Sequence, residues 1–293
     1  MIDFHTHISF FDLYSTKFLT EMLPDSLGDK REKFVKFFMS DKNCTGHLNQ
    51  MKEAGIQKSV LLIIDSELGG GGKVAMSIDE IYDFHGKILK TYKDRLEVFA
   101  GVDPRRENAL EIVENGVKKF GFSGLKLYPP MGFYIYQEEL LKLYEYCEKS
   151  NLPVLIHTGP SHSYLENEKA NPNDIKHVVK MFPRLKVVLA HAGYRVTNEL
   201  SDIVLENENV NLDISGFQNL DKNQLGDSFD KIFSKNLNER MLFGSDWPLF
   251  HSFEKLKSNV ETIFGVAEDL KVSKDVVDNL MYLNARKILN NGD

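Results

Sequence analysis

Short apolar stretches alternate along this chain with longer segments whose apolar residues recur every three or four positions. The apolar stretches fall at residues 2–7, 59–64, 96–102, 124–128, 154–157, 187–191, 210–214 and 241–246. They are apolar nearly throughout rather than at every second position, the pattern of parallel strands covered on both faces. The segments between them predict helices over 45–54, 77–92, 108–120, 137–149, 174–181, 197–206, 222–234 and 253–264, with a last one over 274–290. Gly55 and Gly121 stand where a helix C-terminus favours a left-handed residue, and Ser77 with Glu80 has capping-box spacing. Strands each followed by a helix predict an α/β fold, a single (β/α)₈ TIM barrel over residues 1–293. A doubly wound sheet is disfavoured, because the turn after the first strand reads His-Thr-His-Ile where a nucleotide-binding sheet wants glycines.

Two segments break the rhythm. An insertion at about residues 8–42 follows the first strand, and a glycine run at 69–72 follows the second. Both lie on strand-to-helix loops, which form the catalytic face of a barrel. Each is expected either to cover the site or to be a peripheral hairpin and a loose loop.

Composition narrows the function classes. The net charge of −7 argues against nucleic acid as a partner. It leaves room for a small anionic substrate in a locally cationic pocket. Cys44 and Cys147 are too few and too far apart for a disulfide framework or a thiolate metal site. The opening Met1-Ile2-Asp3-Phe4-His5 lacks the basic and apolar regions of a secretion signal, and no run of membrane length occurs, so a cytoplasmic protein is expected.

The polar residues fall where the strands end. His5 and His7 are two apart at the end of the first strand and so share a side. His157 closes the fifth strand, His191 the sixth and Asp246 the eighth, while Lys126 sits in the fourth. In a barrel these ends converge, and imidazoles with a carboxylate suit a first-row divalent cation. As core packing the set makes little sense, because buried polar groups without partners are costly. Tyr128, Tyr134 and Tyr136 could line a pocket, and Trp247 beside Asp246 could form a wall. Arg105, Arg195 and Lys126 are the cations within reach of the mouth. His162 and His251 are expected to stay clear of substrate, Asp65 to serve a turn, and His47, His85 and His177 to be surface or satisfied helix residues.

In order along the chain stand Asp3-Phe4-His5-Thr6-His7, Gly101-Val102-Asp103-Pro104, Gly124-Leu125-Lys126-Leu127-Tyr128-Pro129, Leu152-Pro153-Val154-Leu155-Ile156-His157, Ala190-His191-Ala192-Gly193 and Gly244-Ser245-Asp246-Trp247-Pro248. With this ordered set the sequence resembles the amidohydrolase superfamily, and within it the amidohydrolase-2 group that includes aminocarboxymuconate-semialdehyde decarboxylase. The resemblance implies one divalent metal ion held by His5, His7, His157 and Asp246, with Asp246 and His191 catalytic and Lys126, Tyr128, Arg195 and Trp247 facing substrate. Zinc is the expected ion, with manganese, cobalt or iron as alternatives. Lys126 stands where some members carboxylate a lysine to bridge two metals; here it is taken as an unmodified cation. Metal-dependent nucleases that share the His-x-His opening fit less well, since they place Glu where this chain has Lys126. The resemblance also implies a homodimer. The expected activity is hydrolysis of a small lactone, ester or amide by an activated water, with Asp246 moving its proton. The alternative is non-oxidative decarboxylation of an unsaturated or aromatic acid. A barrel that has lost turnover is the third reading, disfavoured by the retention of the whole residue set.

Overall fold

The computed structural model describes residues 1–289 except Met22, Pro24, Gly72, Arg195 and 249–254. The eight predicted strands are all present: β1 (Ile2–Thr6), β2 (Lys58–Leu62), β3 (Leu96–Gly101), β4 (Gly124–Leu127), β5 (Val154–Ile156), β6 (Val187–Leu189), β7 (Val210–Asp213) and β8 (Met241–Leu242). They pair in parallel and in sequence order from β1 to β8. Backbone bonds return the sheet to its start: the Phe4 N–H donates to the Phe243 carbonyl at 2.8 Å and the His7 N–H to the Trp247 carbonyl at 2.6 Å. The fold is the (β/α)₈ TIM barrel.

The apolar runs are continuous because each strand buries two faces. Ile2, Phe4, Val60, Leu62, Phe99, Leu155, Val188 and Leu242 fill the interior, closed from below by Ala285 and Ile288. The alternate residues pack outward against the helices, as with Leu61, Val98, Val154 and Ile156. In β1 the pairing register shifts between Asp3 and Thr6, the signature of a bulge. That shift lets Phe4 fill the interior while its neighbour His5 still reaches the mouth.

The helices follow the predicted order: α1 (Thr16–Thr20) and α2 (Arg31–Phe38) inside the insertion, then α3 (Thr45–Ala54), α4 (Ile78–Thr91), α5 (Ala109–Asn115), α6 (Glu138–Lys149), α7 (Ile175–Met181), α8 (Asn198–Glu206), α9 (Lys222–Ser234), α10 (Leu256–Asp269), α11 (Lys274–Asp278) and α12 (Asn284–Ile288). Ser77 and Glu80 form the expected capping box on α4, and Gly55 ends α3 at φ 73°. Two helices expected to be uniform carry wider turns, at Gly116–Phe120 and Asn279–Leu283. The helix expected over 253–264 starts later, at Leu256, and part of that range lies outside the described residues.

The insertion is not peripheral. Phe18 of α1 is buried at the barrel mouth against the rings of Tyr128 and His162, at centroid distances of 5.7 and 4.8 Å. Ser15 caps α1 through its side chain, accepting the Phe18 N–H, and its hydroxyl donates to the Gly70 carbonyl at 3.2 Å. The glycine run and the insertion are thereby tied together over the site.

Candidate metal centre

The strands place His5, His7, His157, His191 and Asp246 around one cavity of about 350 Å³, whose remaining wall is Phe18, Ile64, Tyr128, Pro160, Ser161, His162 and Tyr194. The ladders stop short of the predicted ends, and apart from His5 in β1 and Lys126 in β4 the functional residues lie just beyond them. His7 and His157 follow β1 and β5 by one residue, while Asp246 follows β8 by four. Asp246 is held at φ 55°, and its N–H donates to the His5 carbonyl at 2.8 Å. His191 does not close a strand as expected. It opens a turn in which His191, Ala192, Gly193 and Tyr194 all have φ between 42° and 64°. Non-glycine residues there cost about 1–3 kcal/mol each and persist only where other contacts over-determine them. Here the His191 N–H donates to Asp213 Oδ1 at 3.0 Å and the Gly193 N–H to Thr158 Oγ1 at 3.2 Å. Gly159 and Gly216 leave the room that the Tyr194 ring occupies, since a Cβ on either would stand 2.8 Å from that ring.

Proton bookkeeping orients the imidazoles. The His7 Nδ1–H donates to the Leu62 carbonyl at 2.8 Å, and the His191 Nδ1–H to the Ser215 carbonyl at 3.0 Å. The His5 Nδ1–H donates to Asp213 at 2.9 Å. His157 Nδ1 lies 3.1 Å from His191 Nε2, which is a bare acceptor, so His157 is the donor. His5, His7 and His157 therefore present bare Nε2 atoms, and His191 does not. His5 Nε2 lies 3.5 Å and His7 Nε2 3.3 Å from Asp246 Oδ1.

Burial lowers the pKa of His5, His157 and His191, the last to about 4, so these rings are neutral at pH 7. Burial pushes the Asp246 carboxyl upward, but His5, His7 and His191 outweigh it and hold the group well below the usual carboxylate range. Neutral imidazoles and an ionised carboxylate are the protonation states that metal ligation requires. The polar atoms His157 Nε2 and Asp246 Oδ1 are buried without hydrogen-bond partners among the described residues. Orphans of this kind are rare in native proteins and fit a cation that would engage them. Donor atoms of His5, His191 and Asp246 also lie within 4.8 Å of one another. That grouping conflicts with the hydrogen bonds, which occupy His191 Nε2 and leave His157 Nε2 bare. A small ring rotation changes a distance, while a tautomer decides whether an atom can ligate at all.

The other predicted residues are distributed as follows. Lys126 is buried beside the centre, its Nζ without a hydrogen-bond partner among the described residues and 5.7 Å from the Tyr128 ring centroid. Burial lowers its pKa to about 8, against the pull of Asp213 and Asp246. Tyr128 stacks on His157 at 4.3 Å and its hydroxyl meets Ser161 Oγ at 2.7 Å. Trp247 lines a neighbouring cavity and stacks on His47 at 5.6 Å. Arg195 and His251 lie outside the described residues. Arg105 is not a cation waiting at the mouth: its guanidinium is paired to Asp103 and donates to the Met131 carbonyl. Arg106 is likewise paired, with Asp65 and Glu67. Tyr134 and Tyr136 stack on each other, and neither lines the cavity.

The sequence reading missed Phe18, Tyr194, Asp213 and Ser215, and it set His162 aside although His162 lines the cavity. Asp213 had a signal, a carboxylate at the end of an apolar strand. Phe18 and His162 had none, because only the placement of α1 within the insertion and the course of the loop after β5 bring them in.

Residues 66–290 match the model of the family described as Amidohydrolase. No curated protein sequence matches the chain significantly. Among solved structures, 2,6-dihydroxybenzoate decarboxylase from Rhizobium is similar at 18% identity and a TM-score of 0.69, with 99% of each chain covered. Dihydroxybenzoic acid decarboxylase from a Polaromonas species, with bound manganese and the inhibitor 2-nitroresorcinol, is similar at 18% identity and a TM-score of 0.67, covering 100% of this chain and 97% of that one. A probable 2-pyrone-4,6-dicarboxylic acid hydrolase from Acinetobacter baumannii is similar at 16% identity and a TM-score of 0.60, covering 99% and 98%.

Proposed function

This chain belongs to the amidohydrolase family, and from that premise we propose that it is a metal-dependent enzyme that releases carbon dioxide, without net oxidation, from a small flat carboxylic acid. The observation that carries the reading is the cavity: a pocket walled by the rings of Phe18, Tyr128, His162 and Tyr194, opening onto a buried group of imidazoles and one carboxylate. Aromatic walls favour a planar substrate. The decarboxylases similar in fold act on such acids by their names.

His5, His7, His157 and Asp246 would hold one divalent cation. Bound there, it supplies Lewis-acid polarisation of substrate oxygens. The donor set suits zinc, and the manganese of the Polaromonas protein makes that ion an equal candidate. Lys126, buried behind the cavity wall rather than lining it, adds positive potential that draws the substrate carboxylate toward the centre. Asp246, ionised at rest, takes up one proton from solvent in each turnover and, holding it weakly, hands it to the ring carbon that bears the carboxyl group. The pair of the breaking C–C bond stays on that carbon and carbon dioxide leaves, so protons and electrons balance with no oxidant. His191, neutral and committed at both nitrogens to Ser215 and His157, holds the His157 ring in the orientation that presents its Nε2.

Hydrolysis is the second reading. It is favoured by Asp246 Oδ1, a buried acceptor 3.3 Å from His7 Nε2, where it could take a proton from water and return it to a leaving group. The test is elemental analysis of purified protein, followed by incubation with hydroxybenzoates and with carboxylated lactones. Carbon dioxide from a hydroxybenzoate is the expected result. Acid release from a lactone with no carbon dioxide from any acid would overturn the decarboxylase reading in favour of the hydrolase.

A further inference from the structure

Asp213, the last residue of β7, has no part in the chemistry above, yet its carboxylate is fully buried and fully engaged. Oδ2 accepts the His5 Nδ1–H at 2.9 Å. Oδ1 accepts the backbone N–H of His191 at 3.0 Å, the backbone N–H of Ser215 at 2.9 Å and the Ser215 hydroxyl. A carboxylate only accepts, so Ser215 commits its one proton to Asp213. Its oxygen then faces His5 Nδ1 at 3.0 Å and His191 Nδ1 at 2.9 Å as an acceptor. Both rings must carry their proton on Nδ1, which leaves His5 a bare Nε2 facing Asp246 and makes His191 Nε2 the acceptor for the His157 Nδ1–H.

We infer that Asp213, with Ser215 as its second arm, is a positioning residue that sets the tautomers of His5 and His191 together and pins the left-handed turn carrying His191. One carboxylate thus links the first, sixth and seventh strands of the barrel beneath the centre. The consequence for metal affinity rests on the metal-centre reading; the tautomer assignment stands apart from it.

An Asp213→Asn substitution separates the two. The amide oxygen is required by three donors on the Oδ1 side, so the amide nitrogen falls opposite His5 Nδ1. That atom must then accept, the His5 proton moves to Nε2, and the lone pair facing Asp246 is lost. Ser215→Ala removes only the hydroxyl and leaves His5 on Asp213 Oδ2. The experiment is long-range ¹H–¹⁵N spectroscopy of ¹⁵N-histidine-labelled, metal-free protein, with zinc affinity from chelator competition. Wild type and Ser215→Ala should show His5 protonated at Nδ1, and Asp213→Asn should show it protonated at Nε2 with zinc bound about 10–100-fold more weakly. His5 protonated at Nε2 in wild type overturns the inference, as does an Asn variant that keeps the Nδ1 proton. Should Asp213→Asn fail to fold, the wild-type and Ser215→Ala spectra still decide. A wild type that binds no zinc while the tautomer shift occurs sinks the metal reading and leaves the positioning role standing.

Discussion

At the scale of single residues, Lys126 is the side chain most at odds with stability. A fully buried ammonium without a hydrogen bond is tolerated here only through the fields of Asp213 and Asp246, and its pKa falls to about 8. A group whose affinity for protons drops on folding weakens the fold wherever the unfolded chain is protonated, which for lysine includes neutral pH. Lys126→Met should therefore raise the stability of the metal-free protein by about 1–3 kcal/mol in urea unfolding. The same variant should raise the KM for a carboxylate substrate at least tenfold if Lys126 draws that group inward. A variant both less stable and normal in KM would contradict both halves. Lys126 was legible in the sequence because a charged residue inside an apolar strand is conspicuous, and so were His5, His7, His157 and Asp246. Asp213 was less visible: within Val210–Asp213 it looked like the polar end of a strand, and only coordinates reveal that its oxygens accept from three different residues.

At the scale of elements, the question is what holds the insertion over the mouth. Helix α1 spans only Thr16–Thr20, far too short to persist alone, so its caps and contacts decide whether it forms. Ser15 supplies most of them: its side chain accepts the Phe18 N–H, its hydroxyl donates to Gly70, and its own N–H donates to Ser66 Oγ at 2.9 Å. Lys17 adds a cation–π contact 4.1 Å from the Tyr164 centroid, and the Tyr164 hydroxyl donates to the same Gly70 carbonyl. Loss of a side-chain cap costs about 0.5–2 kcal/mol. Ser15→Ala should therefore speed amide exchange across 16–20 by roughly two- to thirtyfold and leave the barrel strands unchanged. Unaltered exchange there would show that Phe18 packing alone holds the segment. Strands and helices were readable from hydrophobic period because burial selects apolar residues on fixed faces. Their ends were not: two residues past Leu189 and four past Leu242 the chain passes through a left-handed residue, and nothing in residue type distinguishes a strand that ends from one that turns.

At the scale of the molecule, the barrel keeps imidazoles neutral in its interior, and this couples its stability to pH. His85 on α4 is the clearest case, since it takes no part in the centre. It is buried, its Nδ1–H donates to the Ile81 carbonyl at 2.8 Å, and burial lowers its pKa to about 4. The unfolded chain protonates this ring near pH 6.5 while the folded chain does not. The stabilisation is complete above about 6.5 and is lost as pH falls toward 4. His5, His157 and His191 are lowered in the same direction and add to that loss. Asp3 acts against it: burial raises its carboxyl to about 7, so its contribution is whole below about 4 and declines as pH rises through 7. The net curve mixes these terms, and one substitution isolates His85. His85→Gln removes the titrating group while leaving an amide that can still donate to Ile81. Between pH 7 and pH 5, wild type should lose about 2 kcal/mol more unfolding free energy than the variant, measured by urea denaturation at both values. Equal losses would mean that the ring is protonated in the folded barrel, and that the interior around α4 admits water or charge that this packing excludes.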